Sequence, residues 1–241
     1  MTRRPLSIWT KFADKLRQDQ RGIAAVEFAL ILPFMVMLYL GIVELSKGYM
    51  ASQRMTLVAR TLADLTAQLA QQPTTNCGSS GSTTVNLTDL CMSDVFGAAS
   101  AIMAPYLIKT PAGAPLLTMT VSQIKLTYKA DGTCCQAKTD WTIVNNGGTA
   151  RPCQVLTAAN AKPVSITTIP VGFTAPPAPA PPNPNYVVIA DVTYKYLPGF
   201  GWDPDKWTDN SVFFPMAQTQ YMRPRGSNTL HYAAGSGAQC S

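Results

Sequence analysis

Hydrophobic positions change their spacing several times along this chain, and each change marks an element. From Ile23 to Val43 the run IAAVEFALILPFMVMLYLGIV is apolar for 21 positions, interrupted by one ionisable residue, Glu27. A helix of that length, rising about 1.5 Å per residue, crosses the roughly 30 Å hydrocarbon layer of a bilayer. Ala51, Met55, Val58, Leu62, Leu65 and Leu69 then recur every third or fourth position, while Gln53, Arg54, Arg60, Asp64 and Gln68 fall off that seam. This is the spacing of an amphipathic helix, so the span is expected to continue as one helix through Gln72. Pro73 and the TTNCGSSGSTT that follows it supply the stop. From Ile23 to Gln72 such a rod would be about 75 Å long.

Past Pro73 the pattern shortens. Residues 85–108 read as one or two short helices, with Thr88 or Asp89 as the cap. Two-residue alternation begins at Leu117, Met119 and Val121 and resumes after a one-position slip at Ile124, Leu126 and Tyr128. That slip, at Ser122-Gln123, predicts a β-bulge in one strand. Trp141–Val144 reads as a second strand, followed by an Asn145-Asn146-Gly147-Gly148 turn. The APPAPAPPNPN stretch at 175–185 predicts an exposed polyproline loop rather than a domain linker, because the strand after it needs partners. In that strand Val188, Ala190, Val192, Tyr194 and Tyr196 alternate with Asp191, Thr193 and Lys195, and Ser211–Met222 reads as another. The expected fold is α+β: a long N-terminal helix, first transmembrane and then amphipathic, packed on a small antiparallel sheet. Four segments follow: a basic leader (1–22), a transmembrane helix (23–43), an amphipathic extension (44–72) and an outer α+β domain (73–241).

Charge fixes the orientation. Arg3, Arg4, Lys11, Lys15, Arg17 and Arg21, against Asp14 and Asp19, place four of the six net positive charges within the first 22 residues. A basic flank before the span and Glu44 just after it predict a cytoplasmic N-terminus. So little positive charge is left for the rest of the chain that a phosphate-binding groove is not expected, and nucleic acid is excluded as a partner. A cleavable secretory signal would have a shorter apolar region and would not lead into more helix. All six cysteines, Cys77, Cys91, Cys134, Cys135, Cys153 and Cys240, lie beyond the span. That distribution predicts disulfides in an oxidising compartment. Cys77 with Cys91, and Cys153 with Cys134 or Cys135, are the local options, and the pairing stays open. Paired CxxC zinc spacing is absent.

Catalytic chemistry has little to stand on. His231, the only histidine, sits in a Gly- and Ala-rich tail, and no nucleophile elbow, phosphate-cradling loop or HExxH helix occurs. Asp203, Asp205 and Asp209 lack the glycine turn and closing glutamate of a calcium loop, and Trp202 and Trp207 are read as cover for a sheet edge. No enzyme activity, cofactor or metal is expected.

Glu27 is the residue that demands an explanation. A carboxylate inside a lipid-facing helix costs roughly 2.5–3.5 kcal/mol at the bilayer centre and less near an interface, so such groups either snorkel to the headgroups or have a partner. In QRGIAAVEF a glycine ends the basic leader and a glutamate stands five positions later. This resembles the processing site of type IV prepilins. The longer stretch RGIAAVEFALILPFMVMLYLGIVELSKGY, with Pro33, Gly41, Glu44, Lys47 and Tyr49, resembles the TadE-like proteins of the tight-adherence (Flp) pilus system. VTYKYLP at 192–198 and YMRPRG at 221–226 are similar to the closing strands of those proteins.

The resemblance implies a minor pilin or pseudopilin of the bacterial inner membrane, since the chain is too long for the major Flp pilin. Prepilin peptidase would cut between Gly22 and Ile23, and Glu27 would pair with the new α-ammonium of a neighbouring subunit. Implied partners are other pilin-like subunits, the pilus assembly platform, the peptidase and the lipid bilayer. Phe28 departs from the pattern, because processed Flp-type pilins carry tyrosine after the glutamate. The alternatives are an uncleaved bitopic anchor acting as a scaffold or adhesin and, further off, a membrane-anchored periplasmic enzyme.

Overall fold

The apolar run and the seam beyond it form one helix, α1 (Ile23–Gln68), in the computed structural model of the chain. The structure describes residues 22–69, 86–129, 134–157, 168–174, 184–197, 214–225, 229–232 and 237–240. The expected end of the helix at Gln72, the polyproline stretch 175–183 and the Asp- and Trp-rich segment 198–213 lie outside them. The chain divides into two units, Met1–Gly48 and Tyr49–Ser241.

In the first unit the helix is bare. Among its residues with described side chains none of the apolar stretch is buried within the chain, and Phe34 and Met37 are 74% and 72% exposed. It is apolar on all sides, and Pro33 lies inside it without ending it. Membrane helices tolerate proline where neighbours or local adjustment satisfy the freed carbonyl.

In the second unit the same helix packs by one face. Ala51, Met55, Val58, Ala59, Leu62, Ala63 and Ala67 are buried, and Leu65 and Leu69 are partly so. Four of these are alanines, and Met55 and Leu62 are the largest fully buried side chains on the face. Thr66 is also fully buried, and its hydroxyl donates to Leu62 O at 2.8 Å, so its burial leaves no donor unmade.

The remaining elements are β1 (Asn86–Leu87), α2 (Asp89–Ala101), β2 (Leu117–Thr127), β3 (Gln136–Asn145), the single turn α3 (Val171–Thr174), β4 (Asn185–Tyr196), β5 (Phe214–Met222), β6 (His231–Tyr232) and β7 (Ala238–Gln239). Five strands form an antiparallel sheet in the order β5-β4-β2-β3-β7, and β1 pairs with β6 in parallel. Thr88 caps α2, its hydroxyl accepting from Cys91 N at 3.2 Å. Asn146 and Gly147 both take positive φ, 52° and 75°, in the turn that ends β3. Asparagine and glycine are the residues that enter this region at least cost.

The expected bulge is present next to Gln123, but its extra residue lies on the partner strand. β2 runs against β4 without interruption from Leu117 to Leu126, so its two alternating sets point to opposite faces. Leu117, Met119 and Val121 join α1 and α2 in the larger core. Ile124, Leu126 and Tyr128 join a second core on the other face, with Ala137, Val187 and Ile189 under Leu156 and Ile169. The sequence slip therefore records a change of face. The register shift itself falls between Gln123 and Ile124, where Gln123 pairs with Trp141 and Ile124 with Thr139, so the extra residue is Asp140 on β3. Strand Gln136–Asn145 is also longer than the Trp141–Val144 core expected for it.

Candidate functional site

The candidate site is the start of α1. Gly22 is the last residue before the helix and is exposed; Ile23 opens the helix. A Cβ built on Gly22 meets nothing within 4 Å, and its φ is not in the left-handed region. Neither packing among the described residues nor backbone conformation requires glycine there. Glu27 is exposed on the first turns of the helix between Val26 and Phe28, each 61% exposed. Among the described residues it forms no ion pair. The next acidic residue along the helix behaves differently, as Glu44 accepts from Lys47 Nζ at 3.3 Å one turn later.

Residues 22–64 match the TadE-like protein family. The matched region begins at the glycine and takes in the whole apolar run and most of the packed seam. No curated protein and no solved structure matches the chain. The TadE-like segment thus contains Gly22, Ile23 and Glu27, and its helix is long and apolar enough to cross a membrane, compatible with single-pass anchoring.

The cysteines fall outside that segment. Cys153 bonds Cys240, 87 positions away, rather than either local option, and Cys134 bonds its neighbour Cys135. Cys91 is disulfide-bonded, while Cys77 lies outside the described residues. The Cys153–Cys240 bridge ties the loop after β3 to the residue after β7, where Cys240 N also donates to Asp140 O at 2.8 Å. His231 is exposed on β6, its backbone paired with Asn86. Among the described residues no three His, Cys, Asp or Glu side chains converge as a metal site. Asp203, Asp205, Asp209, Trp202 and Trp207 fall outside the described residues.

Two polar groups inside the sheet were not singled out from sequence. Gln123, fully buried, donates to Asp140 Oδ2 at 2.7 Å and to Leu230 O at 3.0 Å, and accepts from Leu230 N at 2.9 Å. It stands where the apolar set of β2 changes face, and it fastens the C-terminal segment across the sheet together with Trp141, whose ring N–H donates to Leu230 O at 2.9 Å. On the opposite face Arg151 is 4% exposed and pairs with Asp191, which also accepts from the Thr219 hydroxyl at 2.7 Å. Burial pushes the Asp191 carboxyl above its ordinary value, against Arg151 and Thr219, which pull it down. The visible signal was an aspartate inside VVIADVTY, a strand otherwise rich in apolar residues.

Proposed function

We propose that the chain is a minor pilin or pseudopilin-type subunit of a Tad (Flp) pilus, anchored in the bacterial inner membrane by α1 with its leader cytoplasmic and its disulfide-bearing domain periplasmic. Prepilin peptidase removes residues 1–22, and Ile23 becomes the new N-terminus. Glu27 then neutralises the α-ammonium of a neighbouring subunit inside a packed bundle of helices. The partners are other pilin-like subunits and the assembly platform.

The observation that carries this reading is the TadE-like match beginning at Gly22. Two features support it: a glycine that the fold does not require, and a carboxylate on an apolar helix that pairs with nothing in its own chain among the described residues. A charge held in hydrocarbon without a counter-ion favours any assembly that supplies one.

N-terminal sequencing of protein extracted from membranes tests the processing step. Cells with active prepilin peptidase should yield a chain starting at Ile23, and cells lacking it a chain with the leader intact. An intact leader in both would favour the uncleaved scaffold, a reading to which Phe28 lends support. Glu27→Ala should leave membrane insertion unchanged and impair assembly; normal piliation by that variant would remove the pairing role.

A further inference from the structure

One end of the sheet presents apolar side chains that no described element covers. β2 begins there at Leu117, β4 ends there at Tyr196, and β5 begins there at Phe214, paired with Tyr196. The loop between α2 and β2 is fixed to this end by several bonds. Tyr194 Oη donates to Leu107 O at 3.1 Å, and Leu116 N and Leu117 N donate to Ile108 O at 2.9 and 3.1 Å. Arg54 Nη1 donates to Ile102 O at 2.9 Å and also to Ala104 O. A loop held this firmly still leaves Leu107 60% exposed, and Phe214 is 54% exposed. Lys109, on the same loop, is exposed and bridges through its backbone to Pro115.

The contacts of α1 show which end this is. Thr56 accepts from Gln218 Nε2 at 3.2 Å, in the middle of β5, and Ala67 O accepts from Arg225 N at 2.8 Å, beyond the end of β5. The helix therefore runs from the Phe214 end toward the Arg225 end, and Tyr49 and Met50, 65% and 57% exposed, stand where it enters the domain. Tyr49 follows Val43, the last residue of the apolar run, by six positions. That covalent tether amounts to about 9 Å of helix rise, whatever the angle between the two units. The headgroup layer of one leaflet is itself roughly 5–7 Å thick.

We propose that this end of the domain, through Leu107, Phe214 and Lys109, docks on the headgroup layer of the bilayer in which α1 is anchored. Leu107 and Phe214 enter the interface, and Lys109 meets lipid phosphates. Apolar tips beside a cation are the composition that interfacial segments use, and apolar area together with attraction to anionic lipid sets their binding. This inference rests on the reading of Ile23–Val43 as a transmembrane span.

The test uses the full chain in nanodiscs of phosphatidylcholine and phosphatidylglycerol. An environment-sensitive fluorescent amino acid is placed at position 38, 107 or 171, and lipids carrying a nitroxide in the headgroup region or the acyl chain serve as quenchers. Val171 is the control, being 77% exposed beside Gly172, whose carbonyl accepts from Arg223 near the far end of the sheet. The probe at 38 should lose its emission to acyl-chain nitroxides, the probe at 107 to headgroup nitroxides, and the probe at 171 to neither. Lys109→Glu should weaken the quenching at 107 in discs containing phosphatidylglycerol. If 38 is quenched while 107 behaves like 171, docking is overturned and the span stands. Blue-shifted but unquenched emission at 107 also overturns it, because protein covers that end, either residues 198–213 or a second copy of the chain. An unquenched probe at 38 overturns the transmembrane reading and this inference with it.

Discussion

The two halves of α1 share one backbone and face different surroundings, and their side chains differ accordingly. Between Val26 and Ile42 the helix carries leucine, isoleucine, valine, phenylalanine and methionine around its whole circumference, and all of them are exposed. Between Ala51 and Leu69 the apolar residues keep to one face apart from Leu57, which is 51% exposed; four of the buried ones are alanines, and arginine, glutamine, aspartate, serine and threonine take most of the rest. A helix that water surrounds must hide its apolar side chains against another element, and that narrows them to a stripe. For a helix that hydrocarbon surrounds, the reading proposed for the first half, hiding them gains nothing and polar groups are the limit, which is why the one at position 27 stands out.

The sharpest way to break this comparison is to make one substitution in both halves. Leu62→Ala removes a fully buried side chain from between α1 and the sheet and should lower the domain's stability by about 2–5 kcal/mol, the usual span for such cavities. Leu38→Ala, at a position 63% exposed within the chain, should leave the domain's unfolding unchanged. Denaturant unfolding of the full chain in detergent, followed by near-ultraviolet circular dichroism, checks both. An equal loss from the two variants would mean that the halves do not differ in kind.

Charge inverts the asymmetry. Met35→Arg places a guanidinium in the middle of the apolar run and should disfavour insertion by roughly 2.5–3.5 kcal/mol, read as the inserted fraction in a membrane translocation assay. Gln53→Arg, on the exposed side of the outer half, should change neither insertion nor unfolding. A third variant probes how completely the buried face of the outer half is filled. Ala59 is fully buried, so Ala59→Leu has no room to enter and should cost about 1–3 kcal/mol of domain stability.

Sequence periodicity was informative where one partner decides burial and misleading where two do. The seam from Ala51 to Leu69 packs on one sheet face, so its spacing located the buried Ala51, Met55, Val58 and Leu62 and the partly buried Leu65 and Leu69, while the small Ala59, Ala63 and Ala67 beside them were no part of the expected seam. In β2 the alternation changed phase because the strand is covered on both faces, by α1 and α2 at one end and by Leu156 and Ile169 at the other. A strand with two covered faces looks like a bulge when read as though only one were covered. Long-range pairings left no local trace. Nothing near Cys153 points to Cys240, and the Arg151–Asp191 pair joins residues 40 positions apart across strands whose order spacing does not encode. In the candidate site the reverse holds. The glycine, the glutamate and the distance between them are sequence features first, and what the structure adds is that, among the described residues, no packing requires the glycine and no ion pair holds the glutamate.

The smallest effect concerns how a helix in water must begin. α2 presents Cys91, Met92, Val95, Phe96 and Ala99 to the core that receives the outer half of α1, and its first turn depends on Thr88. The hydroxyl accepts from Cys91 N at 3.2 Å while the carbonyl accepts from Met92 N at 3.0 Å, so Thr88→Ala removes one acceptor and keeps the other. Such caps are worth about 1 kcal/mol. Here the loss should sit toward the lower end, because Cys91 is disulfide-bonded and the bond holds the same turn that the cap would otherwise keep from fraying. Unfolding of the full chain in detergent should therefore show a small loss for Thr88→Ala when oxidised and a larger one when reduced, with Thr88→Ser restoring most of it in both states. An equal loss under the two conditions would mean that cap and disulfide act on α2 independently.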